Sequence, residues 1–339
     1  MNDIILLGHG SGGTLSHRLL DELIVPTLCG IGPREQNDAA VLPDVPGRLA
    51  FTTDSYVVDP LFFPGGDIGS LAVYGTVNDL AMAGARPLCI SVGLILEEGL
   101  AVADLRRVLE SLRAAAERCR VRIVTGDTKV VPRGKADRLF INTAGIGVLD
   151  HVLTITGSGA RPGDRVLING AFGEHGMAVL AAREGLALTS PIRSDAAPLH
   201  ELVADLVSEL GAAVHVLRDP TRGGVATTLK EIARQSEQGI VVDEAALPVT
   251  PAVAAACAIL GLDPLYVANE GKVLLCVAPE AAGTALAIMQ RHAPAGSPGP
   301  AVIGEVVGAE AAGRVRLRTT VGGLRGIEML AGEQLPRIC

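Results

Sequence analysis

Aromatic side chains are almost missing from this chain, which has no Trp, three Tyr and five Phe among 339 residues. Its cores must then be built from Ala, Val, Leu and Ile, with 41 glycines available for tight turns, a globular α/β composition. Positive charge is also short: the formal net charge is -8. That argues against a nucleic-acid groove or an anionic membrane surface as the main partner, since both call for basic patches. Any anionic ligand must be held locally, by metal or by backbone. Long apolar runs are absent as well: the opening MNDIILLGHGSGG has too short an apolar stretch for a signal-peptide core, and no later run approaches a membrane span. A cytoplasmic protein is expected. Cysteines at 29, 89, 119, 257, 276 and 339 contain no C-x-x-C pair, which disfavours a zinc knuckle and suits a reducing compartment. Neither a Walker P-loop nor G-x-S-x-G occurs, so nucleotide, if bound, is held by another device.

What is there divides into two α/β blocks and a tail, with 1–150 as the first domain, 151–308 as the second and 309–339 as a mobile arm that opens on a short strand and is then glycine-punctuated and unpatterned. In the first block DLRRVLESLRAAAERC places Leu105, Val108, Leu109, Leu112, Ala116 and Cys119 on one helical face. Strands are expected in LAFTTDSYVV, LCISVGLIL, VRIVTG and LFINTAGIGVL, and in the second block in RVLING, GIVVDEAAL, KVLLCVAP and AVIGEVV. The chain ends on Cys339 in LPRIC, where burial gives a thiol no obvious reason to be.

The first motif is GHGSGG, whose Gly8, Gly10 and Gly13 satisfy G-x-G-x-x-G. A dinucleotide unit needs a second buried strand ending in an acid, whereas CGIGPREQNDAAVLPD follows, polar and turn-like. A glycine turn or a phosphate-covering loop fits better. Aspartates then gather at expected strand ends: Asp38, Asp54, Asp79 and Asp127 in the first block and Asp219 in the second. One such Asp is ordinarily a cap or a turn former, but five in Gly/Thr/Asn-rich settings suit Mg²⁺ bridging phosphate oxygens. Lys129, directly after TGDT, would neutralise phosphate charge or be a solvated cation. Glu270 in VANEGKVLL would be a desolvated general base or a turn acid. The histidines lack ligand-like spacing and read as structural or exposed.

Taken together, FTTDSYVVDPLFFPGGDIG, GTVNDLAMAGA, VTGDTKVV, RLFINTAGIG, RDPTRGG, ANEGK and the terminal PRIC resemble the HypE family of hydrogenase maturation factors. NDLAMAGA and DPTRGG are shared with the wider aminoimidazole ribonucleotide synthetase superfamily, while PRIC is specific. One departure is Asn37 before Asp38, where many members carry a second acid. The resemblance implies an α/β (α+β) fold of two aminoimidazole ribonucleotide synthetase-like domains, with N-terminal strands forming a barrel across a homodimer interface and a flexible C-terminal tail. It implies ATP and Mg²⁺ as cofactors and dehydration of an S-carbamoyl group on Cys339 to a thiocyanate, the source of cyanide for the iron of [NiFe] hydrogenase. HypF would donate the carbamoyl group, and the HypC–HypD complex would accept the cyanide. Cys339, Glu270, Lys129 and Asp79 would be catalytic. Gly10, Gly12, Gly13, Asp38, Asp54, Asn78, Thr125, Gly126 and Asp127 would hold nucleotide. Asp38, Asp54, Asp79 and Asp219 would hold metal. A small-molecule kinase or synthetase and a non-catalytic assembly scaffold are the competing readings. In the first Cys339 has no role, and in the second ATP is not hydrolysed.

Overall fold

The computed structural model describes residues 3–30, 39–186, 192–330, 332, 335 and 338. Asp38 and Cys339 lie outside them. A 3₁₀ turn over Leu7–Gly10 leads into α1 (Thr14–Leu19) and α2 (Val25–Leu28), joined by a π turn. β1 (Arg48–Tyr56), the short hairpin β2 (Phe62–Phe63) and β3 (Gly66–Asp67), α3 (Ile68–Met82), β4 (Arg86–Glu97), α4 (Val102–Arg118), β5 (Arg122–Val131) and β6 (Leu139–Leu149) complete the first domain. Its main sheet runs β1-β6-β4-β5, with β4 and β5 parallel and the other pairs antiparallel.

Helix α3 starts on a reciprocal cap, in which the Asp67 carboxylate accepts from the amides of Gly69 and Ser70 at 2.7 and 3.1 Å and the Ser70 hydroxyl accepts from the Asp67 amide. Its sequence is small and apolar almost all round, because it lies between the sheet and the second domain. α4 has the stripe expected from its sequence, with Leu105, Val108, Leu109, Leu112 and Ala116 buried. Both helices cover one face of the sheet. The other face leaves Leu49, Phe51 and Ile95 exposed, Phe51 by 71%.

The second domain is a seven-stranded sheet in the order β13-β12-β9-β11-β7-β10-β8. In chain order its elements are β7 (Arg165–Ile168), α5 (Glu174–Arg183), α6 (His200–Leu210), β8 (Val214–Arg218), α7 (Gly224–Ser236), β9 (Gly239–Asp243), α8 (Pro251–Leu260), β10 (Leu274–Val277), α9 (Ala282–His292), β11 (Ala301–Val307), β12 (Val315–Arg318) and β13 (Leu324–Ile327). Pairing is antiparallel except between β9 and β12. α6 and α9 pack on one face and α7 on the other. No helix among the described residues is long and apolar enough to cross a membrane.

Two expectations are corrected. The arm assigned to 309–339 is, through Ile327, part of the sheet: β12 and β13 complete it, and Val315, Leu317 and Ile327 are buried in its core. The glycines of that stretch mark a hairpin rather than an unstructured link, since Val315–Arg318 pairs antiparallel with Leu324–Ile327 on either side of Gly322 and Gly323. Asp79 was expected at a strand end, but it lies near the end of α3, a helix whose all-apolar surroundings erase the amphipathic period. Further elements, among them β8, α5, α8 and α9, also went unread in the sequence.

Candidate functional site: a carboxylate cleft between the domains

Asn78 shows how α3 is fixed against the second domain. Its side-chain NH₂ donates to the Ala197 and Glu270 carbonyls, each at 3.1 Å, and its oxygen accepts from the Leu199 amide at 2.8 Å. Both amide protons are thus committed to protein backbone, so Asn78 joins the domains rather than offering donors to a nucleotide. The pin sets the next residue, Asp79, at the mouth of a cleft of about 190 Å³ lined by Thr53, Asp54, Asp79, Asp219, Arg222 and Glu270. A second hollow of about 300 Å³ shares Asp79 and Asp219 and opens toward Phe51 and Arg218.

Three carboxyl groups in this cleft titrate above their ordinary range. Burial pushes Asp79 up to about 7, helped by the charge of Asp219 and opposed by a 2.8 Å hydrogen bond from Thr52. Asp219, the residue after β8, is also raised, first by burial. Glu270 is raised most clearly, by burial and then by Asp195 and the cleft aspartates. It is 4% exposed, and its Oε1 has no hydrogen-bond partner among the described residues. A buried, unpartnered carboxylate oxygen is costly unless something else comes to it. The loop beneath it is held by Asp195, whose two oxygens accept from the amides of Glu270 and Gly271, both at 3.3 Å. Gly271 is required there, since a Cβ would stand 2.0 Å from the Asp195 carbonyl. Lys272, 8% exposed, lies 3.5 Å from the same carboxylate.

The remaining expected site residues are elsewhere. β5 carries an extra residue at Val124, and beyond it Thr125, Asp127 and Lys129 pair with Ser91, Gly93 and Ile95 of β4. Those positions face away from the helices, because the alternate Val92, Leu94 and Leu96 sit in the helix-side core. Asp54 is level with Gly126 across the sheet, at the opposite edge, three strand spacings or about 14 Å away. Asp127 and Lys129 pair with each other at 2.7 Å in solvent, and the ammonium holds the Asp127 carboxyl below the usual range. The glycine turn lies on this same edge: a Cβ on Gly10 would meet Val130 at 2.8 Å, Gly12 has φ +75, and Gly13 caps α1. The expected set therefore splits, with Asp54, Asp79, Asp219 and Glu270 in the cleft and Gly10, Gly12, Gly13, Thr125, Gly126, Asp127 and Lys129 along β5.

Among the described residues no three carboxylate, imidazole or thiol groups converge closely enough to hold a metal ion by themselves. The donor set still suits a hard divalent cation that keeps water and takes part of its shell from phosphate, because Asp79, Asp219 and Glu270 raise one another's proton affinity, Arg218 only partly offsets this, and a bound cation would relieve it. Residues that sequence reasoning missed include Asp195, Arg222, Lys272 and His175. The last was set aside as structural or exposed; it is fully buried, and its Nε2 lies 2.9 Å from the Ile338 carbonyl of the tail. The spacing of these residues in sequence carries no signal, since segments far apart in the chain bring them together.

The N-terminal domain model of AIR synthase related proteins matches residues 36–149, and the C-terminal one matches 161–316. Carbamoyl dehydratase HypE of Cupriavidus necator is 52% identical over 334 residues, covering 98% of this chain and 94% of the relative. A crystal structure of hydrogenase maturation protein HypE in complex with ATP is 50% identical, with a TM-score of 0.92 and coverage of 98% and 99%. The crystal structure of a HypE–HypF complex matches with a TM-score of 0.79 at 48% identity, covering 83% of this chain and 90% of that one.

Proposed function

Because this chain belongs to the HypE family of AIR synthase related proteins, we propose that it is an ATP-dependent carbamoyl dehydratase acting on its own C-terminal cysteine. The substrate is Cys339 bearing an S-carbamoyl group, and the product is the thiocyanate. The amide oxygen attacks the γ-phosphorus of ATP, the bond to ADP breaks, and one N–H proton is lost. The resulting phosphate ester then eliminates inorganic phosphate with loss of the second N–H proton, leaving S–C≡N. The amide oxygen departs on phosphate, so the net change is removal of one water from the amide.

The observation that carries this reading is Glu270, a buried carboxylate with one oxygen unpartnered among the described residues and an affinity for protons raised by its surroundings. Such a group takes a proton from nitrogen far more readily than a solvated glutamate does. Asp79, pushed up to about 7, is a second acceptor for the two protons that must leave. Asp54 and Asp219, with Asp38 outside the described residues, would hold Mg²⁺ together with phosphate oxygens and water. That ion supplies charge neutralisation on the transferring phosphoryl group. Arg222 at the cleft wall adds a fixed cation.

The β5 edge has a role in this scheme only if a second chain delivers it. The uncovered sheet face, with Leu49, Phe51 and Ile95 exposed, is apolar enough to need a cover, and pairing two copies through it makes the homodimer. Asp127 and Lys129 of one copy then serve the cleft of the other, with Lys129 neutralising phosphate charge. HypF loads the carbamoyl group, as the complex of a relative with HypF supports, and a HypC–HypD complex takes the cyanide. A thiol kept free for this exchange belongs in the cytoplasm.

The test is the mass of the C-terminal peptide. After loading by HypF, addition of Mg²⁺ and ATP is expected to remove the mass of one water from the peptide ending at Cys339. Retention of the intact carbamoyl group, or its appearance on Cys29, Cys89, Cys119, Cys257 or Cys276, would overturn the reading.

A further inference from the structure

The tail's last described residue, Ile338, is 2% exposed and belongs to the core cluster that also holds Phe63, Val179 and Ala268. Its carbonyl is 2.9 Å from Nε2 of His175, and the other ring nitrogen, Nδ1, is 2.8 Å from the Ser194 hydroxyl. A carbonyl only accepts, so Nε2 carries the proton. Ser194 Oγ already accepts from the Ala196 amide at 3.1 Å, which leaves its own hydrogen for Nδ1. The chain of bonds thus has one direction, Ser194 to His175 to Ile338, with a neutral ring, as full burial favours. The ring plane is set by Phe63, which meets it edge-on at 5.5 Å.

Ser194 is itself tied to the first domain, its amide donating to the Pro64 carbonyl at 2.7 Å. Its neighbour Asp195 holds the loop of Glu270 through the amides of Glu270 and Gly271. Two consecutive residues therefore position the two things that must meet, one the tail and the other the proton acceptor. A hydrolase reading of the Ser194–His175 pair fails, because the second ring nitrogen faces a carbonyl rather than a carboxylate and the ring is closed to solvent.

We propose that His175 and Ser194 form a seat that fixes the C-terminal tail in register by holding the Ile338 peptide, with Ile338 buried as its anchor. His175 is a positioning residue: it acts on the reaction through the tail and not on the reacting atoms. The proposal rests on the reading that Cys339, the next residue, carries the reacting group. Segment 194–195 couples the register of that thiol to the placement of Glu270, so a tail shifted by one residue loses both the hydrogen bond and the apolar anchor.

The test uses the full chain and two readouts. The first is the rate at which a thiol reagent labels Cys339 in the unmodified protein, read by mass on the peptide released after Glu333. The second is single-turnover loss of water from the HypF-loaded protein. His175→Phe keeps an aromatic ring and removes both hydrogen bonds. It is expected to raise labelling and lower dehydration, each roughly ten- to a hundredfold, the population change that follows loss of a buried hydrogen bond. ATP binding and loading by HypF should persist. His175→Gln restores a donor in the Nε2 position and should recover most of both effects, a rescue that a purely packing role would not give. Ser194→Ala, which keeps the ring, should fall between and serves as the probe if His175→Phe fails to fold. Equal labelling rates in the wild type and the His175 and Ser194 variants would overturn the seat, as would a His175→Gln no better than His175→Phe. If labelling changes as expected but the wild type never loses water, the seat stands and the dehydratase reading falls.

Discussion

Asp79 and Asp127 are the same residue type, both expected at strand ends, and the protein treats them in opposite ways. Asp79 sits at the end of a buried helix facing Asp219 and is pushed up to about 7. Asp127 stands on an exposed strand with Lys129 against it and is pushed down. The cleft gathers carboxylates that Arg218 and Arg222 offset only in part, whereas the β5 edge pairs its carboxylate with its own cation. A site for a metal–phosphate substrate needs the first environment to receive the cation and the second to receive the phosphate. Within one chain Asp54 of the cleft is three strand spacings, about 14 Å, across the sheet from Gly126, the neighbour of Asp127.

The largest expected effect tests the cleft. Glu270→Gln keeps the shape and removes the proton acceptor, and should slow dehydration of the loaded protein by roughly 10²–10⁴-fold, the usual span for a general base. Loading by HypF should be unchanged. Single-turnover mass measurements decide it, and a variant within a few-fold of wild type removes Glu270 from the chemistry. Next comes the division between the two regions. Lys129→Ala alone should cost about 10²-fold through lost phosphate neutralisation. If the β5 edge serves the partner's cleft, mixing Lys129→Ala with Glu270→Gln creates mixed dimers that each carry one intact site. About a quarter of wild-type activity should then return, half the dimers having one of two sites working. No recovery on mixing would place both regions in one chain's site or neither.

Much of the fold could be read from the chain because its signals are local. The α4 stripe and the four strands of the first sheet follow from period and turn residues, and their observed positions match within a few residues. α3 could not be read that way, since burial on every side leaves no polar face to reveal the period. The arm was misread for a related reason: β12 and β13 are four residues each, and their place is secured by β9, about seventy residues earlier. Of the residues that line the cleft, Asp79, Asp219 and Glu270 were singled out by residue type and neighbours. That Asp127 and Lys129 belong to the far edge was hidden by one inserted residue, Val124, which turns the rest of β5 over. Asp195 and His175 gave no signal because their meaning lies wholly in tertiary contacts.

The cleft side of the comparison also has a stability signature. Between pH 4 and 7 Asp79 binds a proton in the native state and not in the unfolded one, so stability should fall as pH rises through that window. The contribution is at most about 4 kcal/mol, with Asp219 and Glu270 adding to it in the same direction. Asp79→Asn should therefore be more stable than wild type at pH 8 and show a weaker pH slope, measured by urea unfolding without nucleotide or Mg²⁺. Parallel slopes for the two proteins would show that the Asp79 environment is not under this strain.

The smallest effect belongs to the other side. Asp127 pairs with Lys129 where both side chains are about two-thirds in solvent, at 67% and 65%. The lowered affinity of Asp127 for protons gives stability present above the ordinary carboxylate range and lost as pH falls through its own, lower value. Screening and the entropy of two long exposed side chains hold such a pair to about 0–1 kcal/mol. Asp127→Asn should accordingly shift the urea midpoint little at pH 7, and less still in high salt. Activity should fall clearly in the same variant, because Lys129 loses the carboxylate that orients it toward phosphate. A large loss of stability with activity preserved would reverse the comparison, making the β5 edge the structural element and leaving the cleft to work alone.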